Sequence, residues 1–315
     1  MTGLARTADP STKVLVILDS EQHVPTSLLG LQADLQLTST SVAAYSYDAD
    51  SCNFFGYPVP FSDLAAFAPY TQFARAAYCP TSKLTNWTCG AACASLPGFQ
   101  PTLVGGDGNL VQIYFVGYWP AQDSVVVAHQ GTDPTMLLSV LTDANIVKGS
   151  LDKKLFPGIP SNVQVHSGFR DAHARTAVKV TVVGHSLGGA LAQLDALYLS
   201  LHLPTTTSVK ARTYGAPRVG NEAFANLLDS KVSDLKRIHN KRDVIPIVPW
   251  PFLKFMHAQG EVRILSPGTA IACSGQDNDI DLQCQRKAVP IIAAGSILDH
   301  LGPYEGIRIG TIFCN

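Results

Sequence analysis

This sequence has no apolar run long enough to cross a bilayer. Segments such as 14–18 and 125–128 are strand-sized, so no transmembrane helix is expected. The run at 14–18 is also too short for a signal-peptide core, since it follows Lys13 and is cut off by Asp19 and Glu21. Charge is scarce as well: charged side chains are 15% of the 315 residues and the formal net charge is −1. Without a basic stripe nothing would displace counterions from a phosphate backbone, which removes nucleic acid from the expected partners. Internal repeats and low-complexity tracts are missing too. What the chain has is apolar residue, 46% of the total, a share that argues for a packed globular domain rather than disorder.

Cysteine is present but odd in number. Cys52, Cys79, Cys89, Cys93, Cys273, Cys284 and Cys314 cannot all pair within one chain. Cys89 and Cys93 bracket a short loop containing Gly90, and Cys273 and Cys284 bracket a polar stretch. A local disulfide fits each pair, with reduced thiols as the alternative. No further Cys or His pair stands at ligand spacing beside Cys89 and Cys93, so neither a metal nor another cofactor is expected. Asn86-Trp87-Thr88 matches an N-glycosylation acceptor.

Residues 1–60 show no plan beyond the run at 14–18 and an aromatic and proline cluster at 54–61, and they read as an N-terminal extension. From residue 61 to 315 the pattern is that of one α/β domain. Leu64, Phe67, Ala68, Phe73, Ala74 and Ala77 recur at helical intervals, interrupted at Pro69, which predicts one or two helices ending at Cys79. β-branched runs at 111–116 and 124–129 predict strands, the second of them central. Residues 180–183 are a further apolar run, followed at once by the small-residue turn 184–189 and a helix-forming stretch at 190–201. Strands at 209–214 and 235–239 flank a helix at 221–228. This alternation predicts a mostly parallel central sheet with helices on both faces.

The turn after 180–183 carries the chemistry. A serine hydroxyl is a weak nucleophile and needs exposure, a base and donors for the developing oxyanion. Gly184-His185-Ser186-Leu187-Gly188 places Ser186 between strand and helix, where Gly184 and Gly188 keep the strained turn free of side chains. In such folds the acid and the histidine follow the serine in the chain. Asp243 is the favoured acid, because it follows the strand at 235–239 and precedes the stiff segment Val244-Ile245-Pro246. Asp195, Asp229 and Asp234 are the alternatives. Only His257 and His300 lie beyond Asp243. His300, before the loop Gly302-Pro303-Tyr304, is favoured over His257, which sits in apolar sequence. Leu187 supplies one oxyanion amide by its position after the nucleophile. His129-Gln130-Gly131-Thr132-Asp133 closes a strand, and there the N–H of Thr132 is the second. A plain β-turn is the bland alternative for that loop.

From about Asp63 to the C-terminus the chain resembles the fungal class 3 lipases, the family of filamentous-fungus triacylglycerol lipases. The resemblance rests on ordered landmarks: Tyr78-Cys79 with Trp87-Thr88-Cys89 and Cys93; His129 to Thr132; Val165-His166-Ser167-Gly168-Phe169; Val183 to Gly189; Tyr214-Gly215-Ala216-Pro217-Arg218-Val219-Gly220; and then Arg242 to Pro246 and Asp299-His300. It implies an α/β-hydrolase fold, a Ser186–His300–Asp243 triad, and Thr132 and Leu187 as oxyanion donors. It also implies disulfides Cys79 to Cys314, Cys89 to Cys93 and Cys273 to Cys284, leaving Cys52 over, and a secreted, monomeric enzyme.

Family members cover the site with a helical lid after the oxyanion loop, and residues 134–145 stand in that place. Met136, Leu137, Leu138 and Leu141 are expected to share one helical face, opposite Ser139 and Asp143. A lid of that kind implies acylglycerols at a lipid–water interface as substrate. A feruloyl-type or other soluble-ester esterase is the alternative within the fold. The sequence departs from the family between Phe169 and Lys179, where only residues 170–178 replace a long helix. A parallel crossover needs at least about 10–12 residues, so a catalytically impaired protein that keeps the fold is the third reading.

Overall fold

The computed structural model describes residues 56–109, 111–132, 134–142, 147–167, 169, 181–203 and 207–314. The run at 14–18, Cys52, Asp133, Gly168, the end of the expected lid at 143–145 and the segment 170–178 lie outside the described residues.

The framework is a nine-stranded sheet. Its strands in chain order are β1 (Tyr57–Val59), β2 (Gln100–Gly105), β3 (Tyr114–Trp119), β4 (Ser124–His129), β7 (Thr181–His185), β8 (Lys210–Tyr214), β9 (Asp234–Asn240), β10 (Glu261–Ser266) and β11 (Thr269–Cys273). Two further strands, β5 (Lys148–Ser150) and β6 (Gln164–His166), pair apart from it. The spatial order is β1-β11-β10-β9-β8-β7-β4-β3-β2. From β4 through β7, β8 and β9 to β10 neighbours run parallel. Both margins are antiparallel. The expectation of a mostly parallel sheet is thus corrected to a mixed one. The cause is local: only Pro267 and Gly268 separate β10 from β11, and a connection that short can join only antiparallel strands.

Side chains of successive residues point to opposite faces, and each face has its own core. Val127, Val182 and Ala211 pack under the helices Leu187–His202 and Glu222–Lys231, with Ala190, Leu194, Phe224 and Leu228. Val126, Ala128, Val183, Tyr214 and Ile238 pack on the other face with Phe73 and Ala74 of the helix Ala68–Ala76 and with Phe99 and Phe115.

Three boundaries differ from expectation. The strand expected at 111–116 begins at Tyr114, because Asp107 Oδ1 accepts from the N–H groups of Asn109 and Val111 and draws both back toward Asp107. β1 pairs with β11 and so joins the sheet ahead of residue 61, where the domain was expected to start. The parallel neighbour of β7 is β4, so their connection begins at residue 130. The crossover limit applied to 170–178 alone therefore does not hold.

Three disulfides close the domain: Cys79–Cys314, Cys89–Cys93 and Cys273–Cys284. The first joins residues 235 apart and the second residues only 4 apart. In the chain-entropy account a long closed loop constrains the unfolded state most. Replacing Cys79 and Cys314 by alanine is expected to cost about 2–4 kcal/mol, clearly more than the same change at Cys89 and Cys93. Calorimetry of the two variants checks this, and equal losses would contradict it.

Candidate active site

Local sterics place Ser186. β7 is fully buried between β4 and β8, ends at His185, and the helix Leu187–His202 starts one residue later. Ser186 bridges them at φ 60° and ψ −128°, a left-handed conformation that costs a non-glycine residue about 1–3 kcal/mol. Its N–H donates to Tyr214 O at 2.9 Å and its carbonyl accepts from Gly189 N–H at 3.0 Å. A Cβ on Gly184 would collide with the backbone of Gly188, so the turn closes only with glycine there.

The residues named as acid and base come together from distant parts of the chain. Asp243 follows β9 and is fixed by its own backbone: its N–H donates to Asn240 O, and the N–H of Ile245 donates to its Oδ1 at 2.8 Å. His300 ends the short helix Ile297–His300, which Ser296 caps by accepting from Asp299 N–H. Its Nδ1–H donates to Asp243 Oδ2 at 2.9 Å, and Asp243, His300 and Ser186 are all fully buried. Burial lowers the His300 imidazole to about 3. Burial also pushes the Asp243 carboxyl well up, against the pull of the Ile245 N–H. With Nδ1 committed to the carboxylate, the neutral ring keeps its lone pair on Nε2. That atom and Ser186 Oγ are both buried without a hydrogen-bond partner among the described residues.

Beneath them lies a network that local sequence patterns did not reveal. His185 Nε2–H donates to the carbonyl of His300 at 2.7 Å, which fixes the tautomer, so Tyr78 Oη–H donates to His185 Nδ1 at 2.6 Å. Burial holds His185 well below the usual imidazole range and therefore neutral. Tyr304 Oη–H donates to the same carbonyl at 3.0 Å. The two donors anchor the backbone of His300 while its ring stays free at Nε2. In the sequence His185 stood only as part of the elbow and Tyr304 only as part of the loop after His300.

Thr132 stands beside this group because Gly131 passes directly over the nucleophile: a Cβ on Gly131 would strike Tyr78 Oη, the His185 carbonyl and Ser186 Cβ. Leu187 is the first residue of its helix, so its N–H has no intrahelical acceptor. The following helix, Pro134–Thr142, buries Leu137 and Leu141 in the core that holds Val244 and Ile245, with Leu138 packed against it. Met136 does not share that face. It is 68% exposed, since at 100° per residue it falls outside the stripe that joins Leu137, Leu138 and Leu141.

The residues weighed as alternatives are engaged elsewhere. Asp195 meets His129, Asp234 pairs with Arg212, and Asp229 accepts from Gln259 N–H. His257 Nε2–H donates to Pro246 O at 2.8 Å and braces the segment after Asp243. Glu261 lies near Cys273 and Cys284 with potential metal-ligand atoms, but those two sulfurs are bonded to each other, so neither offers a thiolate. Asn86 is exposed at the end of the helix Thr81–Thr85.

A serine at a strand–helix elbow on a parallel strand, with a histidine held on a buried carboxylate nearby, is the arrangement of an α/β-hydrolase fold. Comparison with known proteins gives the family. Residues 126–252 match the family model described as lipase (class 3). A secreted mono- and diacylglycerol lipase of Malassezia globosa is 33% identical over 50% of this chain and 57% of its own length. A lipase of Rhizomucor miehei is 35% identical over 48% of this chain and 45% of its own. The chain thus spans about half the length of these relatives. The structure of lipase II from Rhizopus niveus superposes with a TM-score of 0.67 at 26% identity, over 81% of this chain and 99% of that one. These matches support the fungal class 3 lipases as the family of this chain.

Because burial depresses His300, the base form is expected to persist to lower pH than an ordinary imidazole allows. The acid limb of kcat/KM for a soluble ester is predicted to fall below pH 6.5. A limb at or above 6.5 would contradict the assignment.

Proposed function

We propose that this chain is a secreted carboxylic ester hydrolase, a triacylglycerol lipase that acts as a monomer on acylglycerols at a lipid–water interface. The observation that carries the reading is the buried Ser186–His300–Asp243 constellation, with the apolar helix Pro134–Thr142 against the helix that ends at His300. His300 Nε2 takes the proton of Ser186 Oγ as the oxygen attacks the ester carbonyl. The N–H groups of Thr132 and Leu187 hold the oxyanion, a contribution of about 2.7–4 kcal/mol per donor. The protonated His300, steadied by Asp243, returns the proton to the departing alcohol. Water then attacks the acyl carbonyl as His300 takes its proton, and His300 returns that proton to the departing Ser186 Oγ, which releases the fatty acid.

The lipid substrate is supported by the cover. Ser186 is fully buried and the helix Pro134–Thr142, with Leu137 and Leu141 inward, packs against the helix that carries His300; in this reading that helix is the cover, and its movement exposes an apolar face. Such a face is stabilised at a lipid surface and penalised in water. The relatives' names, which include secreted mono- and diacylglycerol lipases, agree with this substrate class and with export. The disulfides are consistent with an oxidising compartment. Exposed Asn86 is the glycan acceptor in this reading.

Replacing Ser186 by alanine should lower hydrolysis of a p-nitrophenyl butyrate solution by about 10⁴-fold or more. In the unaltered protein, the rate on a short triacylglycerol should rise abruptly above its solubility limit. Equal rates on monomeric and emulsified ester would remove the interface and favour the soluble-ester esterase. An active Ser186→Ala protein would remove the mechanism.

A further inference from the structure

A second buried histidine–carboxylate contact lies behind the elbow, outside the constellation described above. His129 is the last residue of β4 and Asp195 lies in the third turn of the helix Leu187–His202. The His129 Nε2–H donates to Asp195 Oδ2 at 2.5 Å, and both side chains are fully buried. They are 66 residues apart in sequence, and the hydrolytic mechanism uses neither.

The two elements they join are the two that carry the oxyanion amides. Leu187 opens the helix that bears Asp195. Thr132 lies three residues beyond His129, on the loop that leaves β4. Gly188, two helical turns before Asp195 and on the same face, presses on the carbonyls of His129 and Gln130, where a Cβ would collide. One face of the nucleophile's helix therefore holds both the backbone and the side chain of His129. On its other side the loop is tied to residue 113: Gln130 N–H donates to Ile113 O at 2.8 Å, and Ile113 N–H donates to Gln130 Oε1 at 3.2 Å. Sheet pairing of His129 with Gly184 sets the height of β4. It does not set how close the departing loop lies to the helix.

We infer that the His129–Asp195 contact is a positioning device that sets the separation of the Thr132 and Leu187 amides and so the fit of the oxyanion hole. A directional bond between buried groups fixes a distance, whereas an apolar contact permits sliding. Removing one partner strands the other without its bond, so the loop must shift to restore satisfaction. An oxyanion hole acts by preorganisation, so a small shift there weakens transition-state binding more than substrate binding. His129 and Asp195 touch no reacting atom and are positioning residues.

The inference rests on the ester-hydrolase reading, and the test separates the two. Asp195→Leu, His129→Phe and the double variant, which remove the bond, are compared with Leu228→Ala, a buried core change on the helix Glu222–Lys231 that serves as a stability control. On p-nitrophenyl butyrate, each single variant should lose roughly tenfold or more in kcat with KM within about twofold, and the double variant should lose no more than the worse single. The inhibition constant of a trifluoromethyl ketone transition-state analogue should rise in step with the loss in kcat/KM. Leu228→Ala should melt earlier and keep its kcat. Folded Asp195→Leu or His129→Phe with kcat and analogue affinity like those of Leu228→Ala would overturn the positioning role. If one variant does not fold, the other carries the same comparison. An unaltered protein that fails to hydrolyse the ester would remove the underlying reading instead, and this inference with it.

Discussion

Ser186 sits at φ 60° because a buried parallel strand and a helix meet with a single residue between them. The rest of the site depends on that constraint. The turn is strained, and it survives because β7 is paired on both sides and the helix behind it is packed through Ala190, Leu191 and Leu194. The stored cost is small beside that burial. In return the hydroxyl projects from the top of the sheet, and the helix begins with an uncommitted N–H beside it.

Around this turn the chain places polar groups in a dry interior, and those that fix the site are held by specific partners. Asp243 receives N–H groups on both oxygens, His185 is bonded at both ring nitrogens, and the carbonyl of His300 accepts twice. Among the atoms left without a partner in the described residues are Ser186 Oγ and His300 Nε2, the two between which the proposed proton transfer runs. Leaving polar atoms unpaired in a buried site costs stability. Here the cost falls on the two groups that the proposed hydrolysis uses.

Much of this was legible in the sequence, because the informative features are local. Val125, Val126 and Val127 announced β4, the small residues at 184–189 announced the elbow, and chain order after Ser186 limited the acid and base to a few residues. The antiparallel margins were less visible: β2 has no clean alternation, and the β10–β11 hairpin lies in sequence of mixed polarity. Met136 was misplaced because an apolar residue beside an apolar stripe looks like part of it. The contacts of Tyr78 with His185 and of His129 with Asp195 had no local signal at all. Each joins residues brought together only by the sheet order, and a periodic pattern cannot record which strand becomes whose neighbour.

The central claim is that Ser186 attacks an ester carbonyl while Thr132 and Leu187 hold the oxyanion. Reaction of the folded protein with an alkyl phosphonate ester, followed by a crystal structure of the product, tests it most directly. The account predicts one phosphonyl group on Ser186 Oγ, its free oxygen within hydrogen-bond distance of both amides and the helix Pro134–Thr142 displaced. An unmodified Ser186 in folded protein, or an adduct whose oxygen points away from Thr132 and Leu187, would contradict it.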